Sequence, residues 1–449
     1  MDRTSIGDSQ KKEIHFDSDI AEFEQNLREA NQIFDLFYMN KFEEAYARCD
    51  EKLSRCLPHS HMKTFISFFY AVLTLEKIVS LLPKKIHKLL SIAGFSGDKD
   101  VALAMIKRAT ELRKGIRCRV SVMAIQGFCL YFEQLMGLCE IDEEWIENLV
   151  EEYRRKFPKA AFVLFFSAKF HLMNGEPDEA AKEFIECIKI QDSWKQIHRI
   201  CSWDLVWSYA LKNDWDGASK YAKILREESP YSPATNEYQL AVFKMMQMKR
   251  EDKSDKNAEV AEMMKNVVSL KKRYAGRTLP QEKFVCTRAT QYENEGRIPI
   301  VALLELYYIW NVLSMTSNKQ NLIDPLLNRV NETLTKLGAQ IRESKFDDLL
   351  VLWLMKGVLL RNRNDNEEAL KCFHKIIDSE NKVIRDTYIV PHAALELGIT
   401  YMKLERIEEA RKWLTKTKSG YEKFLNESVV SLRVAAALRR LKQIECCNN

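Results

Sequence analysis

The sequence predicts an all-α protein, a solenoid of stacked antiparallel helix pairs, and three observations carry that expectation. The composition is poor in breakers, with 14 Gly and 10 Pro among 449 residues, while 46% of residues are hydrophobic and 30% charged, a mix that suits continuous helices rather than turn-rich strands. Apolar residues recur at three- and four-residue steps through most of the chain. Small residues recur at a fixed interval in consecutive helix pairs. Gly357 with Ala369, and Gly398 with Ala410, fall where two antiparallel helices cross and a larger side chain would force them apart.

These small residues belong to a longer pattern. Trp353, Gly357, Ala369 and Phe373 in one pair, and Leu397, Gly398, Tyr401 and Ala410 in the next, match the tetratricopeptide repeat at its defining offsets. Ala168, His171, Ala180 and Phe184 repeat the pattern earlier, and Leu205, Tyr209, Ala218 and Pro230 follow, with Ala222 in place of the expected aromatic. Ala180 and Ala218, like Ala369 and Ala410, stand farther apart than the usual ~34 residues, so helices or turns are extended.

In chain order, residues 1–16 read as a polar, disordered lead-in. Residues 17–248 form an N-terminal helical-repeat half. Its first, degenerate pair carries Phe23, Leu27, Phe34 and Phe37, a turn at Asn40, and Ala45 in the small-residue role. The run 61–82 is apolar on most faces and expected to be buried, closing at Pro83. The glycine-rich stretch 93–100 departs from a phosphate loop, because Asp98 and Asp100 flank the lysine where that loop needs Gly and Ser or Thr. It reads as a turn, with positive φ at Gly and an aspartate capping the following helix. Residues 249–295 form a charged linker with an exposed helix and a small basic cluster at Lys271, Lys272, Arg273 and Arg277, read as a solvated face. Residues 296–449 form a C-terminal tetratricopeptide-repeat half. A terminal helix over 429–444 caps it, with Arg433, Arg439, Arg440 and Lys442 expected outward.

Several function classes recede on composition. The formal net charge is +5, from 69 Lys and Arg against 64 Asp and Glu, so no strong nucleic-acid field is expected. Runs 65–82 and 120–138 are broken by charge, which argues against a transmembrane helix. Eleven cysteines, an odd number, behind a polar start suggest a reducing compartment, with the cytoplasm as default. The eight histidines form no H-E-x2-H and lie near no C-x2-C, so no metal or cofactor is expected. No nucleophile motif occurs, and pairs such as Glu43-Glu44 and Glu408-Glu409 read as solvated helix faces rather than catalytic carboxylates. The chain is read as no enzyme. Cys446 stands at the prenylation position but is followed by non-aliphatic residues, which argues against lipidation.

Blocks outside the generic repeat positions give a sharper likeness. Ala93 to Asp100, Trp194-Lys195-Gln196 with His198, Cys201 and Trp203, Tyr307 to Asn311, and Tyr388 to Pro391 leading into Ala394 to Leu397 resemble the tetratricopeptide repeat protein 39 family, which takes in the fungal inclusion-body-clearance proteins. The resemblance covers most of the chain after about residue 20. It implies a non-enzymatic scaffold acting through protein partners, in lipid homeostasis or in clearance of aggregated protein, and supplies no catalytic residues. The alternative is a lipid- or sterol-handling protein whose array encloses an apolar cavity.

In tetratricopeptide arrays the second, fifth and ninth positions of each first helix line the inner surface. Phased on Ala168, Val206, Gly357 and Gly398, these are Phe162, Phe165 and Lys169; Ile200, Trp203 and Trp207; Val351, Leu354 and Val358; and His392, Leu395 and Ile399. They form the candidate partner or ligand groove. Arrays that bind chaperone tails place Lys and Asn at the fifth and ninth positions, and only Lys169 has a suitable type, so carboxylate-dependent tail binding is not expected. So apolar a face is either filled by this chain or meets an apolar peptide or lipid.

Overall fold

The computed structural model describes residues 6–51, 62, 99–111, 116–134, 143–248, 255–273, 278–295, 298–338 and 345–448. Every regular element among them is helical. In order they are α1 (Ile6–Tyr38), α2 (Phe42–Glu51), α3 (Lys99–Glu111), α4 (Ile116–Gly127) continuing into a π-helical turn (Phe128–Glu133), α5 (Glu143–Lys156), α6 (Ala161–Met173), α7 (Pro177–Ile190), α8 (Lys195–Leu211), α9 (Trp215–Glu228), α10 (Pro233–Gln247), α11 (Asp255–Ser269), α12 (Pro280–Glu295), α13 (Pro299–Ile309), α14 (Gln320–Gly338), α15 (Phe346–Asn362), α16 (Asn366–Ile377), α17 (Ile389–Lys403), α18 (Ile407–Gly420) and α19 (Glu427–Asn448). The apolar run 65–82 and the glycine-rich residues 93–98 lie outside the described residues.

Local sequence explains where the helices start. Pro177, Pro233, Pro280 and Pro299 open α7, α10, α12 and α13, where the missing N–H costs nothing. Acidic pairs occupy the first turns of α2, α7, α16 and α18 (Glu43-Glu44, Asp178-Glu179, Glu367-Glu368 and Glu408-Glu409), where they complement the helix dipole. α1 begins at Ile6, so helix extends back through most of the expected lead-in.

Five inter-helix turns share one geometry. Asn40, Gly175, Asn213, Asn364 and Glu405 all adopt positive φ, between 58° and 70°. The next residue in each turn donates its N–H back over the turn, Lys41 to Leu36, Glu176 to His171, Asp214 to Tyr209, Asp365 to Leu360 and Arg406 to Tyr401, at 2.9–3.0 Å. This is the Schellman closure of a helix end. In all five the left-handed residue precedes a fully buried alanine, Ala45, Ala180, Ala218, Ala369 or Ala410, by the same interval. The repeat phasing is thus written in the backbone as well as in the side chains.

Two compact units are present: 1–128 with 146–166 and 186–198, and 129–145 with 167–185 and 199–449. In the first, Phe37 stacks on Phe162 at 5.1 Å and Phe42 on Trp194 at 4.2 Å, while Asn40 Nδ2 donates to the Lys159 carbonyl and its Oδ1 accepts the Ala161 N–H at 2.7 Å. The Asn40 turn and the start of α6 are therefore one assembly.

In the second unit successive helices pack on their neighbours, α9 on α10, α10 on α11, and onward from α15 to α19. α10 is buried along almost its whole length and packs against α9, α11, α12 and α13. α11, in the charged stretch, is not exposed all round: Val260, Met263, Met264 and Val267 are buried. The cap helix α19 differs from its sequence reading too. Arg433 points inward at 7% exposure, whereas Arg439 and Lys442 are exposed.

Candidate partner-binding surface

The twelve candidate groove residues lie on α6, α8, α15 and α17. All twelve are buried except Trp203 and Ile399, which are half-buried. In the first unit Phe162 lies in the aromatic cluster described above, and Phe165 packs on Phe166 at 5.5 Å. In the second, Trp203 meets Trp310 edge-on at 4.9 Å and Trp207 at 5.5 Å, and Trp207 meets Tyr307 at 6.2 Å. Val351, Leu354 and Leu395 have no exposed surface, and Ile200 and Val358 have little.

Lys169 is sealed. Its Nζ lies 2.7 Å from Asp204 Oδ1, with side chains 3% and 0% exposed, and 4.5 Å from the Tyr131 ring centroid. The Tyr131 hydroxyl, on the π-helical turn, donates to Asp204 Oδ2 at 2.6 Å. A lysine committed to an internal carboxylate in low dielectric has no charge to offer a peptide terminus.

Two further buried polar networks occupy the second unit. Glu396 on α17 accepts from the Tyr308 hydroxyl at 2.7 Å and from Arg433 at 3.0 Å, and pairs with Arg361. Burial pushes its carboxyl up, but Arg361 and Arg433 outweigh that and hold it at about 2. His392, one turn earlier, contacts the Tyr308 hydroxyl at 3.1 Å and packs on Tyr388 and Phe424. Burial, reinforced by Arg433, lowers it to about 4, so it is neutral at pH 7. The second network centres on Arg288 of α12, between the Phe284 and Tyr388 rings, paired with Glu305 at 2.8 Å and Asp386 at 2.5 Å. Tyr388 also donates to Glu305 at 2.7 Å, and Asp347 accepts three consecutive backbone N–H groups from Ile384, Arg385 and Asp386.

These networks fasten helices and offer little chemistry. Cys286 and Cys372 are buried and pushed by burial up to about 11, far from a reactive thiolate. No group of metal-ligating side chains occurs among the described residues. A cleft of about 260 Å³ opens between Met245, Met248, Ile298, Ile300 and Arg329. It lies below the ~300–1,000 Å³ of small-molecule pockets. None of the twelve inner positions lines it.

Helix pairs with this turn geometry and this small-residue register agree with a family model, Iml2/Tetratricopeptide repeat protein 39, that matches residues 77–363, more than half of the chain. The chain belongs to the Iml2/tetratricopeptide repeat protein 39 family. Among relatives of this family member, the Caenorhabditis elegans tetratricopeptide repeat protein ttc-39B is 24% identical over 367 residues, which cover 81% of this chain and 62% of the relative. The chain thus spans less than two thirds of that protein's length. A helical-repeat interaction scaffold is what this membership supports. No helix among the described residues is long and apolar enough to cross a membrane.

The buried charges Asp204, Arg288, Glu305, Asp347 and Glu396 escape a reading by periodicity alone. Glu305 and Glu396 did leave a signal: each is a lone charge in an apolar helical run, over 299–309 and 389–399. Arg288 left none, since it is one charge among several in the run 280–295, with Glu282, Lys283, Glu293 and Glu295.

Proposed function

We propose that this chain is a non-enzymatic adaptor that gathers protein partners on the outside of its helix pairs, and that its work lies in lipid homeostasis or in clearance of aggregated protein, with the cytoplasm as its setting. The observation that carries the reading is burial of the inner positions: where most tetratricopeptide arrays keep a groove, this chain packs Trp207, Val351, Leu354, His392 and Leu395 into its own core. Side chains that make the core cannot also meet a ligand without unfolding cost. Of the twelve, Trp203 and Ile399 alone are half-buried rather than buried. That Lys169 is spent on Asp204 supports the expectation that this chain binds no chaperone tail through a carboxylate clamp.

Affinity capture with mass spectrometry, run beside lipid extraction of the same purified protein, tests the adaptor reading. It expects protein partners retained in stoichiometric yield and little co-purifying lipid. Lipid at near one mole per mole, with no retained protein, would favour the lipid-handling alternative instead.

A further inference from the structure

The outer surface of the C-terminal repeats carries lysines laid on aromatic rings. On α15 and α16, Lys375 Nζ stands 3.8 Å and Lys356 Nζ 5.1 Å from the Trp353 ring centroid. His374, next to Lys375, packs edge-on against Trp413 of α18 at 5.6 Å. Lys416 Nζ in turn lies 5.1 Å from Trp413 and 5.8 Å from Tyr421. A continuous chain of contacts therefore crosses three helices, and every side chain in it is half-buried or exposed. None of it belongs to the inner positions.

Lys356, Lys375 and Lys416 make no ion pair among the described residues, although comparable exposed lysines do: Lys182 with Glu179, Lys223 with Glu227, and Lys371 with Glu368. Glu368, two turns before Lys375 on α16, is taken by Lys371 at 2.6 Å; Glu380 lies by Tyr421 at the far end and pairs with none of the three. Each ammonium is held over a π-face, which restricts a stem that otherwise costs rotamer entropy on binding. The result is an array of cations held on aromatic rings, none of them in an ion pair among the described residues.

We propose that this stripe docks an acidic segment of a partner protein, a run of Asp and Glu laid across α15, α16 and α18. The proposal rests on the adaptor reading and adds the partner's chemistry. An anionic membrane fits the same charges less well, because interfacial binding needs apolar side chains that enter the bilayer. Among the described residues the exposed large hydrophobics are Phe23, Met39, Tyr46, Met105, Val268, Ile384 and Leu432, and none lies in the stripe.

The test is fluorescence anisotropy of the full chain with a labelled oligoglutamate peptide, with oligoglutamine and phosphatidylserine vesicles as the other probes. Oligoglutamate is expected to bind in a salt-dependent way and to change tryptophan emission. In K356Q/K375Q/K416Q its affinity should fall about tenfold, as three exposed charge pairs of modest strength are lost. K182Q/K223Q/K336Q, which removes the same charge elsewhere, should bind as the parent does, and K356R/K375R/K416R should keep binding, with unchanged thermal melts in all three. Equal losses in the two glutamine triples, no binding of oligoglutamate by the parent, or capture by vesicles in its place would overturn the proposal. Failure here with partners still captured from cells would leave the adaptor reading standing, so the two fail separately.

Discussion

Glu405 occupies the left-handed region, at φ 58°, in a turn whose counterparts use Gly175, Asn213 and Asn364. Its side chain is exposed, so what it contributes to the turn is mainly backbone strain, which Gly or Asn would relieve. Glu405→Gly is expected to stabilise by about 1 kcal/mol, read as a raised midpoint in urea, and an unchanged or lower midpoint would refute the strain. The crossing glycines behave oppositely. A Cβ at Gly357 would meet the Phe373 ring at 2.4 Å, and one at Gly398 would meet Leu414 at 2.6 Å. Gly398→Leu and Ala410→Phe should each cost roughly 1–3 kcal/mol through overpacking, and melts unchanged in both would contradict the crossing. At Val206 the register is kept by exchange: Val replaces the glycine while Ala222 replaces the facing aromatic, so the larger side chain moves to the other helix and the pair can still close. His392 gives a pH dependence. Its folded pKa, about 4, lies below the ordinary 6.5, so the unfolded chain binds more protons between those values and stability falls as pH drops through that window. The loss approaches roughly 3 kcal/mol at pH 4, from about 1.36 kcal/mol per unit. Glu396 adds to the same fall from about pH 5 downward, because its carboxyl is held at about 2 when folded and binds its proton near the ordinary 4.5 when unfolded, and this part is common to the parent and the His392 variant. Urea midpoints from pH 7 to pH 4 in the parent and in His392→Gln check the assignment; an equal slope in both would place the effect elsewhere.

At the scale of elements, the terminal helix α19 is held by an internal charge. Arg433 reaches Glu396 on α17 at 3.0 Å, and both side chains are less than a tenth exposed. Arg433→Ala should cost about 3 kcal/mol, because Glu396 loses one of two cations while remaining buried. Arg439→Ala, on the exposed face of the same helix, should change stability by less than about 0.5 kcal/mol. Equal effects in thermal melts would show α19 to be anchored by its apolar side chains alone. The helix was legible in its sequence but the direction of Arg433 was not, since its partner lies on another helix and helical period cannot see it. The same holds for α11, where Val260, Met263, Met264 and Val267 form a spaced apolar face within a strongly charged stretch, and charge density hides the spacing. By contrast, the turn at Asn40 before Ala45 was legible to the residue, because a local backbone requirement leaves a local signature such as Asn or Gly, whereas the left-handed Glu405 left none.

For the molecule as a whole, the all-α repeat class was readable because it rests on short-range periodicity, while the segments that cover the candidate inner face were not. The offsets that pick out Trp203, Trp207, Leu354 and Leu395 say which way a side chain points and nothing about what covers it. Here the cover comes from this chain, as Trp207 on Tyr307 and Trp203 on Trp310 illustrate. The division of the chain into two units, each assembled from three stretches, was equally hidden, because long-range contacts leave no mark on composition. The measurement that bears most directly on the central claim is a chemical denaturation of Trp207→Ala and Trp203→Ala, followed by affinity capture with each variant. Trp207, fully enclosed, should cost about 3–5 kcal/mol and half-buried Trp203 less, with the partner set retained wherever the fold survives. Stability unchanged in both variants together with lost partners would contradict it, and would make these tryptophans a binding groove.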